Sequence, residues 1–468
     1  MKQLTTGKIW LFAVGQFGWS MLSGLISNWM VYFYLPTQDR LDAGQIAFFP
    51  QGAVIFGIAT IIGAITALGR VVDAFTDPWI ASLSDHCKSK NGRRIPFLKW
   101  SALPLAAFTV LTFWSPINGN SWINAVFLLL MVVAYYISIT AYCTPYNALI
   151  PEMGKNQKQR LDISTAISFT FIAGTAVAYV APTLWGMFEG MGMERIPAMR
   201  LTFLLIAIPA LICMYVPVFA IKEKDYVDAK PVEESAFKSL TATFRLKDFR
   251  RFVLSDVAYW VALTMFQTGL AYYVTLLLKL DESMTTLFFV LMTALSLVFY
   301  IPINKIAPKL GKKKLILIAF VGFTVCFAYT GLMGDPLSFI NPTVQGIILC
   351  VAAAGPMAIF GILPQAVVAD IARYDSMNTG ANREGMFYAA RTFAFKLGQS
   401  LALLIFTSVA AILSDKTAQA ATDAAAEASS SISAAGCRVI AIAAAVICLL
   451  GGLAFFFYDE KKVTKSLE

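Results

Sequence analysis

The sequence predicts an all-α integral membrane protein with twelve transmembrane helices in two six-helix halves. Three observations carry that reading. Of the 468 residues, 58% are hydrophobic and 14% charged, against roughly 45–50% and about 25% in soluble domains. Apolar stretches of membrane-spanning length, about 20 residues, recur along the whole chain. One long charged segment, 222–251, divides those stretches six and six. A water-soluble fold this apolar would expose large greasy patches, which excludes a soluble enzyme, a disordered chain and a nucleic-acid binder. The net charge of +9 is a matter of where the cations sit, not of an anionic partner.

The first half, residues 1–221, places spans near 9–36, 45–82, 98–114, 122–150, 163–184 and 200–221. The second, residues 252–468, places them near 252–278, 285–303, 315–333, 344–370, 386–413 and 437–457, followed by a charged tail. The first span has no small-residue cleavage site after it and reads as retained. The segment 222–251 reads as a central cytoplasmic loop with a short surface helix. The Ala/Ser-rich stretch 415–436 reads as an outside loop without chemistry. Most Lys and Arg fall in 84–99, 151–162, 222–251, 304–314 and the two ends, whereas the opposite loops hold Arg40, Arg195, Arg200, Lys279, Lys416 and Arg438. By the positive-inside rule both termini are expected in the cytoplasm of a multi-pass protein of the cell inner (plasma) membrane. Of seven cysteines, Cys143, Cys213, Cys326, Cys350 and Cys448 lie in apolar runs and none forms a CxxC pair. Neither a disulfide framework nor a zinc site is therefore expected. The one histidine, His86, sits in a charged loop.

The halves echo each other. SDHCKSKNGRRIPFL follows span two and INKIAPKLGKKKLIL follows span eight, each a short basic hairpin with a Gly before its last positive residues. Internal repeats of this kind place a substrate site near mid-membrane, and two six-helix halves with basic 2–3 and 8–9 loops describe the major facilitator architecture.

Charges inside a bilayer are costly and mark function by default. In span two, ALGRVVDAFTDPWI sets Arg70, Asp73 and Asp77 at i, i+3 and i+7, on one helical face. Two carboxylates one turn apart repel each other; a Na⁺ or Li⁺, or a proton, relieves that strain. Pro78 can free a carbonyl in the preceding turn. A structural ion-pair cluster is the other reading of these residues. Span eleven carries Arg391 and Lys396, whose directions differ by about 140°. Lys396 is expected to pair with Asp73 or Asp77 in one state and release them in another, or to snorkel. Arg391 is expected either to clamp an anionic substrate group or to pair with a carboxylate. Asp85 near Lys88, Arg93 and Arg94, and Asp370 with Arg373 and Arg383, suit a cytoplasmic gate of exchanging salt bridges, or are ordinarily solvated. Gln16, Trp19, Ser20, Asn28, Tyr142, Thr144, Asn147, Gln267, Tyr272 and Gln365 punctuate the spans with polar and aromatic groups that suit a polyol.

RVVDAFTDPWIASLSDHCKSKNGRRIPF, TAYCTPYNALIPEM, VADIARYD and REGMFYAARTFAFKLG resemble the signatures of the glycoside–pentoside–hexuronide:cation symporter family, over nearly the whole chain. The resemblance implies that Asp73, Asp77 and Thr140 bind the cation, with Arg70 and Lys396 as coupling residues. It implies that Ser20, Cys143, Asn147, Ile167 and Arg391 stand at the family's sugar-binding positions; with Gln16, Tyr142, Gln267, Gln365 and Thr392 they make up the expected substrate site, between spans one, four, five, seven, ten and eleven. Several of these depart from the family pattern. Ser20 and Cys143 stand where the family has aspartates, Asn147 where it has a tryptophan, Ile167 where it has an arginine, and Arg391 where it has a glutamine. Ala81 replaces a loop glycine. Fewer acids and an added base argue against a galactoside and towards an anionic sugar such as a uronide. The expected protein is a monomeric sugar symporter with no resident cofactor and no nucleic-acid partner, whose only ion is the co-transported Na⁺ or H⁺. A carrier for a lysolipid-like solute, and a non-transporting sugar sensor, are the alternatives.

Overall fold

The computed structural model describes residues 4–37, 40–41, 45–50, 55, 59–154, 157–226, 243–379, 384–413 and 432–465. These residues are overwhelmingly helical, as a bilayer requires when each backbone N–H and C=O must be satisfied within its own segment. Twelve long helices follow one another among them. They are α1 (Thr6–Tyr34), α2 (Ile61–Asp85), α3 (Ile95–Leu111), α4 (Trp122–Met153), α5 (Gln157–Tyr179, continued by Ala181–Gly190) and α6 (Arg195–Ala220). Then come α7 (Lys247–Tyr272, closed by a π turn at Tyr273–Leu277), α8 (Ser283–Leu310), α9 (Lys312–Leu332), α10 (Pro342–Thr379), α11 (Glu384–Ile412) and α12 (Ala434–Phe456). Short helices Glu223–Tyr226 and Glu460–Lys465 follow α6 and α12.

Ten of the described helical stretches are long and apolar enough to cross a membrane. The other two are α3, with 17 residues, and α2, whose middle carries Arg70, Asp73 and Asp77. The fold class read from the sequence is borne out.

Most helices outrun their apolar windows. α8 continues to Leu310, α10 to Thr379, and α7 begins at Lys247, inside the segment read as loop. Hydropathy marks where the chain meets hydrocarbon; backbone hydrogen bonding carries on into water, where charged side chains cost nothing. The opposite error occurs in span two. α2 starts at Ile61, not near 45, and the described residues 45–50, 55, 59 and 60 are not helical, in a stretch that contains Pro50, a helix breaker. Span five is interrupted at Val180, with Pro182 in the next helix's first turn. α12 starts at Ala434, where the Ser433 hydroxyl accepts from the Gly436 amide at 3.0 Å. The end of the Ala/Ser-rich stretch is thus a helix cap. Its residues 415–431, and 227–242 of the central segment, lie outside the described residues.

The chain divides into two compact units. One comprises 1–51 with 64–233, the other 52–63 with 234–468, so the first turn of α2 groups with the second unit. In the first unit α1 packs on α5 and α6, and α3 on α4 and α6. In the second α7 packs on α11 and α12, and α9 on α10 and α12. The same pairing pattern returns after six helices. Small residues allow the backbones to approach: a Cβ at Gly174 would run into Ser20 and the Phe17 carbonyl, and one at Gly18 into the Ala210 carbonyl. Some polar ends inside the first unit are satisfied by backbone: Trp29 Nε1 donates to the Ala178 carbonyl at 2.7 Å. The apolar side chains left outside, such as Trp100 (75% exposed) and Phe219 (77%), make sense as lipid contacts.

Candidate cation and substrate site

α2 and α4 meet in two matching rungs. Thr140 Oγ1 donates to Asp73 Oδ1 at 2.7 Å, and Thr144 Oγ1 donates to Asp77 Oδ1 at 2.9 Å. Both pairs are four residues apart on their helices, so each hydroxyl falls opposite one carboxylate. Thr76 Oγ1 lies between the Asp73 carbonyl (3.2 Å) and Thr140 Oγ1 (3.3 Å). Asp73 is 4% exposed. Arg70 reaches it only at 4.0 Å, while donating to Ser27 Oγ at 3.4 Å and lying 5.3 Å from the centre of the Tyr136 ring. The result is a concentration of oxygen ligands around two carboxylates, with Arg70 held loosely beside Asp73. Hard monovalent cations take such donors, and a proton could occupy either carboxylate. Pro78 adds to this, since it has no N–H to give the Ala74 carbonyl one turn earlier. Among the described residues, no three His, Cys, Asp or Glu side chains gather as a metal cluster.

The second unit holds a different arrangement. Arg391 on α11 makes a two-pronged pair with Asp256 on α7, Nε to Oδ2 at 2.8 Å and Nη2 to Oδ1 at 2.9 Å. Of the two roles open to Arg391, this is the carboxylate pair. One turn further along both helices Trp260 stacks on Phe395 with ring centres 4.7 Å apart. The indole N–H of Trp260, like that of Trp19 in the first unit, is buried with no hydrogen-bond partner among the described residues. Buried donors are normally satisfied, so each is a donor open to a polar ligand.

Other expected residues are placed less suggestively. Tyr142 is fully buried and donates to the Met214 carbonyl at 2.8 Å. It is thus a packing residue between α4 and α6, because its hydroxyl is consumed by backbone. Ser20 is buried against α5 and donates to its own helix at Phe17. Gln16 is buried, Cys143, Ile167, Gln267, Thr392 and Lys396 are half-buried, and Asn147 and Gln365 are exposed.

The two basic hairpins are built alike. In the first unit Gly92 takes φ +109°, a conformation that favours glycine. The Glu223 carboxylate then accepts from the amides of Arg93 (2.7 Å), Arg94 (2.9 Å) and Ile95 (3.0 Å), capping the start of α3. In the second unit Gly311 takes φ +87°, and Glu460 accepts from the amides of Lys312 (2.7 Å) and Lys313 (3.2 Å) at the start of α9. Arg94 pairs with Asp85 and, at 2.9 Å, with Glu152; Arg93 reaches Glu152 at 3.1 Å. Asp370, expected beside Arg373 and Arg383, instead pairs with Lys312. α10 runs on past it, so Arg373 is an exposed helical residue and not part of a loop, while Arg383 lies outside the described residues.

Sequence reasoning missed Asp256, Glu152, Glu223, Glu460 and Lys312, and left Thr144 outside the site. Asp256 carried the same signal as Asp73, a charge within an apolar span. Thr144 repeats the four-residue spacing of Asp73 and Asp77. Glu223 and Glu460 each stand just after the sixth span of a half.

Fold and buried charges together define a membrane carrier of two repeated units. The chain matches the family model described as MFS/sugar transport protein over residues 11–460 and belongs to that family. It is 24% identical to the uncharacterized symporter YnaJ of Bacillus subtilis (strain 168), over 83% of this chain and 79% of that one. It is 21% identical to the isoprimeverose transporter of Lactiplantibacillus pentosus (83% and 77% covered). With the glucuronide carrier protein homolog of Escherichia coli (strain K12) the identity is 22% (73% and 73%). The resemblance to glycoside–pentoside–hexuronide symporters is thereby borne out. In fold it is similar to the crystal structure of the nucleoside transporter NupG, with a TM-score of 0.64 at 14% identity over 97% of this chain and 99% of that one. A bacterial homolog of the human lysosomal transporter Spinster gives 0.63 at 13% over 98% and 97%.

Proposed function

We propose that this protein is a cation-coupled symporter that moves a sugar or glycoside across the inner membrane by alternating access, with both termini in the cytoplasm. The observation that carries the proposal is the double rung of Asp73–Thr140 and Asp77–Thr144. It sets two carboxylates one turn apart on α2, with Arg70 4.0 Å from Asp73, and a Na⁺ or a proton would relieve the repulsion between them. The names of its relatives favour a sugar. The unpartnered indole N–H groups of Trp19 and Trp260 suit a hydroxyl-rich ligand, and Lys396 supplies the coupling charge. Because Asp256 already neutralises Arg391, a neutral glycoside fits this arrangement better than a uronide. A uronide would have to displace Asp256 from its arginine.

The test is uptake of neutral and uronic sugars into proteoliposomes with and without Na⁺, at fixed pH. Cation-stimulated uptake that survives both Asp73→Cys and Asp77→Cys would place the coupling site elsewhere. Counterflow of the same sugar separates transport from mere sensing, and uptake of lysolipid instead of sugar would move the protein to another substrate class.

A further inference from the structure

The groove beside the α8–α9 hairpin has a charge pattern that the transport reading leaves unexplained. A cavity of about 570 Å³ is lined by Ala307–Lys314 and Asp459–Lys461, the volume of roughly twenty liquid waters. Lys309, Lys312, Lys313, Lys314 and Lys461 all line it. Three of them occupy the first turn of α9, the positive end of its dipole, where cations are unfavourable. The acids in the wall are already engaged. Glu460 holds the Lys312 and Lys313 amides, and Asp459 Oδ1 accepts from the Lys462 amide at 3.1 Å. Lys312 is taken by Asp370, and Lys313 lies 5.4 Å from the centre of the Phe456 ring. Lys309, Lys314 and Lys461 remain exposed. Beside them Phe456 (62% exposed) and Phe457 (65%) turn outward, as residues that meet acyl chains do. The groove therefore lies where hydrocarbon gives way to charge.

We infer that this groove binds the headgroup of an anionic phospholipid, its phosphodiester set among Lys309, Lys314 and Lys461 and its acyl chains against Phe456 and Phe457. Basic pockets at the membrane surface attract such headgroups by about 1 kcal/mol per nearby cation, so removing three lysines should weaken binding by roughly 100-fold. The other hairpin is the internal control. Its Lys88 and Lys90 are also exposed, but its two arginines are paired with Asp85 and Glu152.

The experiment uses the full-length protein in neutral detergent, reading thermal unfolding against added phosphatidylglycerol, phosphatidylcholine, or inorganic phosphate alone. Phosphatidylglycerol should raise the midpoint saturably and phosphatidylcholine should not. The K309Q/K314Q/K461Q variant should need roughly 100-fold more phosphatidylglycerol for the same rise, while K88Q/K90Q responds as wild type. An equal response in the triple variant, or an equal loss in K88Q/K90Q, would overturn the site in favour of diffuse surface attraction. A rise with inorganic phosphate as large as that with lipid would overturn the assignment to a membrane lipid.

Discussion

The two units handle buried charge in opposite ways. In the first, Asp73 and Asp77 accept hydroxyl hydrogen bonds from α4, and Arg70 stands 4.0 Å from Asp73. In the second, Asp256 and Arg391 close on each other through two hydrogen bonds of 2.8 and 2.9 Å. The first joins its carboxylates to hydroxyls and only loosely to an arginine; the second closes a carboxylate and a guanidinium on each other and ties α7 to α11. Charge inside a span is therefore not one signal but two, and the geometry of the nearest opposite charge tells them apart.

The sharpest way to break this contrast is to remove one partner from each unit. Arg391→Ala leaves Asp256 buried and unpaired, and should cost about 3–5 kcal/mol, seen as a fall in the thermal midpoint in detergent. Asp73→Asn should leave that midpoint close to wild type, because it removes part of a repulsive pair, while cation-stimulated uptake is lost. A large fall for Asp73→Asn and none for Arg391→Ala would reverse the assignment of the two units.

Smaller changes sharpen it. Thr144→Val deletes one hydroxyl hydrogen bond to a carboxylate, worth about 1.5–3 kcal/mol. If that bond helps to hold Asp77 for the cation, half-maximal uptake should need roughly tenfold or more cation, while sugar affinity at saturating cation is kept. Glu223→Gln loses the charge on a cap of three amides and Glu460→Gln the charge on a cap of two. The expected destabilisation is about 1–2 kcal/mol for the first and less for the second, resolved by thermal unfolding of the two variants side by side. Equal losses would mean that the third amide, that of Ile95, contributes nothing.

Much of the site was legible because its cost is local. An aspartate in an apolar helix is anomalous whatever surrounds it, so Asp73, Asp77 and Arg391 could be singled out from sequence. By the same rule Asp256 could have been, since it falls inside span seven. The caps could not be found in this way. Glu223 and Arg93 are 130 residues apart, and nothing local in either says that they meet. Tyr142 shows the reverse failure: polar and aromatic in a span, it reads as a ligand group, yet its hydroxyl is used up by the Met214 carbonyl.

What the sequence by itself determined was the number of spans, their helical state, the division into two halves and the face shared by Arg70, Asp73 and Asp77. All of these follow from the cost of placing backbone or charge in hydrocarbon, which each segment meets alone. Only the tertiary structure decided the partners: which hydroxyl faces which carboxylate, that Arg391 belongs to Asp256, that Asp370 belongs to Lys312, and that the lysines of one hairpin line a groove. Those depend on helices brought together by packing, and a buried charge is as well served by one correctly placed partner as by another.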